Sequence, residues 1–226
     1  MGKEAEQKQE IVNQGVHTYS QEDSYVWPQE SVLLEQLEWF QDQKLALMVH
    51  WGVYNQLGMV ASWALSDEDA EWSRKMVDWT DDGELFKRQY RALNRAFDPV
   101  AFQPEEWAKM AKECGFRYLI LTTKHHDGFC LWDTAYTEYK TTAEDCPFHT
   151  HKHADIVRAM FEAFRKEGLG IGAYFSKADW HCPDYWEKEK ALTGKTTRNL
   201  TYDPKENPGA WERFRAFTRD QILELG

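Results

Sequence analysis

The chain has 226 residues, enough for one large domain or two small ones and for a proper buried core. Acidic residues number 38 against 27 basic ones, a net charge of −11, and the pI is near 5.2. This balance excludes a broad phosphate-binding surface, because nucleic-acid affinity rests on clustered cations that displace counterions, and it favours a neutral polar ligand. No run approaches the ~18 apolar residues of a membrane helix, and Met1 to Glu10 lacks the apolar core of a signal peptide. A soluble chain without a membrane partner is expected, its compartment left open. Cys114, Cys130, Cys146 and Cys182 form no C-x-x-C pair, so reduced, buried thiols are the expectation. Aromatic content is high, with 11 Trp, 10 Tyr and 12 Phe in a sequence whose mean hydropathy is −0.73.

Residues 1–27 are polar and show no sustained period, which suggests a mobile leader, with residues 28–226 forming the folded part. From Ser31, Val32, Leu33, Leu37 and Phe40 fall near helical spacing. Leu45 to Gly52 (LALMVHWG) is a continuous apolar run that reads as a strand buried on both faces. The next helix begins at Pro104, carries Glu105 and Glu106 in its first turn and Trp107, Met110, Ala111 and Cys114 along one face, and stops at Gly115. It leads into YLILTTKHHDGF, a second strand ending in Lys124, His125, His126, Asp127 and Gly128. The unit then repeats: Ile156, Val157, Met160, Phe161 and Phe164 share a helix face, Gly168 stops it, and Leu169 to Ser176 supplies a third strand. A last helix starts at Asn207-Pro208, with Trp211, Phe214, Thr218 and Leu225 on one side.

Helix followed by buried strand, repeated, predicts a parallel α/β architecture. The polar residues gather at the C-terminal strand ends, as in a (β/α)8 TIM-like barrel; the phosphate-binding glycine turn of a doubly wound sheet is missing after every strand. A whole barrel takes about 250 residues, so only the first three or so β/α units are expected here, within a longer protein. His50 and Trp51 close the first strand, His125 and His126 the second, and Tyr174, Ser176, Asp179, Trp180 and His181 stand at or beyond the third. Neutral imidazoles offer one donor and one acceptor each, suited to sugar hydroxyls, and indole faces cover the C–H side of a pyranose ring. The constellation reads as a carbohydrate pocket.

Five blocks carry a specific resemblance: WFQDQKLALMVHWGVYN, Asp69 to Met76 (DAEWSRKM), Phe116 to Tyr139 with its T-T-K-H-H-D-G-F core, the ADIV segment, and Leu169 to Trp180. From about Trp39 to Gly226 the chain resembles the N-terminal half of the catalytic domain of the α-L-fucosidases, the retaining glycosidases of glycoside hydrolase family 29. The resemblance implies an exo-acting enzyme that removes terminal α-L-fucosyl residues from glycans. It implies that His50, His125 and His126 bond the fucose hydroxyls, that Glu71 and Trp72 line the same pocket, and that Tyr174 and Trp180 belong to it. It also implies that the nucleophilic Asp and the acid/base lie beyond Gly226, leaving no catalytic carboxyl in this chain, and that no cofactor is needed. The expected partner is a fucosylated oligosaccharide or glycoconjugate, together with the remainder of the catalytic domain or a second copy.

Other groups have plainer readings. His149, His151 and His153 alternate in a polar loop and are read as solvated or helix-capping rather than as a metal site. Asp67-Glu68-Asp69 and Asp81-Asp82 are read as solvent-facing loop charges, Asp127 as a turn-former beside Gly128, and Asp179 as a pocket-edge residue. Two other functions stay open on the residues alone: a non-catalytic sugar-binding fragment, and a metal-dependent barrel enzyme with histidine ligands.

Overall fold

A computed structural model describes residues 28–226; the leader predicted over 1–27 lies outside the described residues. The chain divides into two compact units, Met1–Asp42 and Gln43–Gly226. Of the first unit, the described part is helix α1, Ser31–Asp42, which buries no residue. Val32, Leu33 and Phe40, read as its apolar stripe, are 65 %, 48 % and 51 % exposed.

The second unit is built on three parallel strands in the order β1 (Ala46–Val49), β2 (Tyr118–Lys124), β3 (Gly170–Phe175). Ala46 to Val49 pair with Tyr118 to Leu121, and Tyr118 to Thr122 pair with Gly170 to Tyr174, the ladder turning irregular between Thr122 and Lys124. Only the central strand is deeply buried: Leu119, Leu121, Thr122, Thr123 and Lys124 are all sealed from solvent. The outer strands depart from the expectation of burial on both faces. β1 is four residues long, Met48 is half exposed, and β3 is half-buried along most of its length, because each pairs with β2 alone among the described residues.

Between these strands run α2 (Ala70–Ser73), α3 (Gly83–Arg91), α4 (Pro104–Glu113) and α5 (Ile156–Lys166), followed by α6 (Lys188–Thr193) and α7 (Pro208–Leu225). α4 starts where a proline costs nothing, at its first helical position, and ends where Gly115 takes a φ of +84° that residues with a Cβ rarely adopt. α5 is capped by Asp155, whose carboxylate accepts from the Arg158 amide at 2.9 Å, and it buries Ile156, Val157, Ala159, Met160, Phe161, Ala163 and Phe164 against β2 and β3. α3 buries Phe86, Lys87 and Tyr90 and is capped by Asp82, read as a loop charge: its carboxylate accepts from the amides of Glu84 and Leu85 at 2.9 and 3.1 Å. α7 buries Ala210, Phe214 and Gln221 rather than the full stripe expected from Trp211 to Leu225. No helix among the described residues is long and apolar enough to cross a membrane.

Much of the aromatic content is core. Trp51, Phe97, Phe102 and Trp107 interlock with ring centroids 5.2–6.0 Å apart, and Phe97 meets Phe129 and Phe148. All four thiols are free; three are buried as expected, and Cys114 is exposed.

The acidic loop clusters are not solvent-facing as a group. Asp67 accepts from Arg74 and Lys87 at 2.7 Å each and from the Thr196 amide at 2.8 Å, and Asp69 is buried with Arg198 upon it. Burial raises the pKa of Asp67, but the hydrogen bonds from Lys87, Thr196 and Arg74 outweigh it and hold the carboxyl down to about 2. These bonds join the segment after β1 to the loop after α6, across 129 residues of sequence.

Candidate functional site

The C-terminal ends of β1 and β2 bring His50, His125 and His126 together, because parallel neighbours in register end side by side. The His50 and His125 rings lie 5.0 Å apart and the His125 and His126 rings 4.7 Å. Tyr174, from β3, stands 6.1 Å from His50 and stacks on His125 at 6.4 Å and 11°. Four of the seven residues singled out in the sequence thus form one aromatic cluster, and a fifth, Trp180, joins it by stacking on His126.

Hydrogen bonds orient each imidazole. His50 Nδ1 shares bonds with Thr122 Oγ1 at 2.8 Å and the Tyr54 hydroxyl at 3.2 Å. His125 Nδ1 accepts from the Ser62 amide at 3.4 Å and also meets the Ser62 hydroxyl. Because a backbone N–H only donates, a neutral His125 must carry its proton on Nε2. His126 is the reverse: its Nδ1–H donates to the Ala178 carbonyl at 3.1 Å, which leaves Nε2 as the acceptor. Burial keeps both rings neutral. It lowers the pKa of His125 to about 2, with His126 and His50 adding to the effect, and it lowers that of His126 despite the Ala178 bond. Desolvation lowers His50 as well. None of the three Nε2 atoms has a protein partner among the described residues.

Trp180 occupies a different place from the one expected. Only 1 % exposed, it is sandwiched between His126, at 4.9 Å, and Trp186, at 4.8 Å and 3°, so it backs the His126 ring rather than facing a ligand. The partly exposed indole beside the histidines is Trp63, 5.6 Å from His125 and 5.1 Å from His126. Sequence reasoning missed Trp63, Ser62 and Tyr54, which sit in short 3-10 turns without apolar period; the available signal was a Trp in the segment directly after a histidine-ended strand. Glu71 and Trp72 are not brought to the cluster. The Glu71 side chain is 91 % exposed, 3.6 Å from Lys75, while Trp72 is 53 % exposed and its Nε1–H donates to Asp69 at 3.2 Å. Asp69 also holds Arg198, whose guanidinium lies 4.6 Å over the Trp63 ring.

The two carboxylates at or just beyond the strand ends are occupied. Asp127 is more than a turn-former: it is buried, accepts from the Tyr90 hydroxyl at 2.9 Å and the Phe129 amide at 3.1 Å, and burial raises its pKa to about 7. Asp179 is interior and not at a pocket edge. It takes Lys124 Nζ at 2.8 Å and the amides of His181 and Cys182 at 2.9 Å, and Lys124 keeps its pKa low against the opposing effect of burial. The alternating histidines take separate partners, although the His151 and His153 rings lie 5.7 Å apart: His149 Nδ1–H donates to Cys146 O at 2.8 Å, His151 stacks on Phe148, and His153 points toward Glu105.

A parallel α/β sheet with neutral, oriented imidazoles at its strand ends defines a protein of the α/β class with its polar site at the C-terminal edge of the sheet. The profile of the family described as Alpha-L-fucosidase matches residues 12–226, and the chain belongs to that family. It is similar to the tissue α-L-fucosidase of Rattus norvegicus, 31 % identical over 83 % of this chain and 39 % of that protein, and to the Homo sapiens tissue enzyme, 29 % identical over the same shares. Among solved structures it resembles the family 29 α-L-fucosidase from Bacteroides thetaiotaomicron, with 29 % identity, a TM-score of 0.62, and coverage of 89 % of this chain and 39 % of that one. It also resembles α-L-fucosidase AlfC from Lactobacillus casei in complex with α-L-fucose product, with 30 % identity, a TM-score of 0.60, and coverage of 84 % and 57 %. The chain spans about two fifths of the length of the curated tissue enzymes it matches.

Proposed function

We propose that this chain forms the sugar-recognition wall of a retaining α-L-fucosidase acting on terminal α-L-fucosyl groups of glycans, and that its three-stranded sheet is an arc of a (β/α)8 barrel. The observation that carries the reading is the opposed orientation of two adjacent neutral histidines. His125 presents an Nε2–H donor and His126 an Nε2 lone pair, the complement of a hydroxyl that donates and accepts at once. His50 extends the row, and Trp63 adds an apolar wall for the C–H face of the ring. Bonds of this kind serve catalysis when they strengthen as the sugar flattens toward the oxocarbenium-like transition state.

Retaining hydrolysis also needs two carboxyls about 5–5.5 Å apart, one of them a free nucleophile. Asp127 and Asp179 are sealed and bonded inside the fold, and Glu71 is turned to solvent, so the histidine wall binds and orients the sugar while bond cleavage falls to carboxyls other than these three. An assay of the purified 226-residue chain with 4-nitrophenyl α-L-fucoside is expected to show no nitrophenol release above background. Turnover abolished by Asp127→Asn, Asp179→Asn or Glu71→Gln would place the nucleophile here and overturn this division of labour.

A further inference from the structure

A second cleft, of about 480 Å³, opens between the end of α3 with the turn after it and the loop around Tyr139, lined by Arg88, Arg91, Asn94, Arg95, Tyr139 and His181 among others. Three polar atoms in these side chains are buried without a hydrogen-bond partner: Arg91 Nε, the Tyr139 hydroxyl and His181 Nδ1. Tyr139 is 6 % exposed and stacks on His181 at 4.2 Å and 10°, so the two rings form a rigid wall. Arg91 is fixed by a bond from its Nη2 to the Trp180 carbonyl at 2.9 Å; no carboxylate among the described residues forms a close ion pair with it, and Asp179 acts on it only through the longer-range field.

Other charges at the cleft are accounted for. Arg88 is paired with Glu84, and Asp145 accepts from Asn94 at 2.9 Å and stands 3.8 Å from Arg95. Glu138 is exposed. The remaining cation, Arg91, is therefore largely buried beside two unsatisfied polar groups, a costly arrangement unless something supplies acceptors.

We propose that this cleft binds a small oxyanion, a sulfate, phosphate or carboxylate group, held by Arg91 Nε–H, the Tyr139 O–H and His181. Such a group accepts from several donors at once and pairs with the guanidinium in the planar fashion that arginine favours. The cleft is larger than a free tetrahedral anion, which leaves room for the body of a ligand that carries the oxyanion, such as an acidic sugar. The site does not depend on the fucose reading, since none of its side chains belongs to the histidine cluster.

The test is calorimetric titration of the whole chain with sodium sulfate and, in parallel, with galactose 6-sulfate, using neutral galactose and sodium chloride as controls. Saturable binding of sulfate is expected, weakened about tenfold in Arg91→Lys and severalfold in Tyr139→Phe, with Arg215→Gln on the far helix unaffected. Tighter binding of galactose 6-sulfate than of sulfate would identify a sugar-borne group; equal binding would identify a free anion. No saturable binding of either, or affinities unchanged in both Arg91→Lys and Tyr139→Phe, would overturn the proposal. Ordered water alone on Tyr139 Oη and Arg91 Nε in a sulfate-soaked crystal would overturn it too.

Discussion

Burial lowers the proton affinity of His50, His125, His126 and His181. Each therefore holds fewer protons folded than unfolded below the ordinary imidazole pKa of about 6.5, and the stability it contributes is present above that pH and lost as the pH falls through it. Asp127 works in the opposite sense. Its pKa is raised from 3.8 to about 7, so its contribution is present below pH 4 and lost as the pH rises toward 7. Asp127→Asn removes only the second effect, because the amide oxygen still accepts from Tyr90 or Phe129. Urea unfolding at a series of pH values is expected to show the variant gaining on the parent chain between about pH 4 and 7 and holding level above. A difference independent of pH would mean that Asp127 is ionised in the fold like an ordinary carboxylate.

At the scale of elements, the junction between β2 and the loop that follows it depends on one glycine. Gly128 has a φ of +82°, and a Cβ there would lie 2.5 Å from Asp179 Oδ1 and 2.6 Å from His181 Cβ. Gly128→Ala is expected to cost about 3 kcal/mol through backbone strain and overpacking combined, lowering the melting temperature by about 6–12 °C. A melting temperature within a degree of the parent would show that the loop relaxes without disturbing the Lys124–Asp179 pair. The three strands and the helices at 104–113 and 156–166 were legible in sequence because each joins a sustained apolar pattern to a proline, glycine or acidic cap. The helix at 83–91 was not, since it rests on the Asp82 cap and on Phe86, Lys87 and Tyr90 buried by distant packing. Strand-end histidines could be read from position alone. That Trp63 flanks them, that Trp180 lies behind them and that Asp67 binds Lys87 and Thr196 are consequences of long-range contacts that no local period encodes.

At the scale of the molecule, parallel pairing brings three strand ends together, the half-exposed Arg198–Asp69 ion pair ties the segment carrying Trp63 to the loop carrying Arg198, and the outcome is a row of neutral imidazoles with unoccupied Nε2 atoms. Nitrogen-15 NMR of histidine-labelled protein, titrated with L-fucose, reads those atoms directly. The account predicts that His125 is the Nε2–H tautomer and His126 the Nδ1–H tautomer before sugar is added, and that the Nε2 resonances of His50, His125 and His126 move saturably with L-fucose. Those of His149 and His151 should stay still, and D-fucose, the mirror image, should move none. Nε2 resonances that ignore L-fucose, or that respond equally to both enantiomers in protein whose near-ultraviolet circular dichroism shows packed tryptophans, would contradict it.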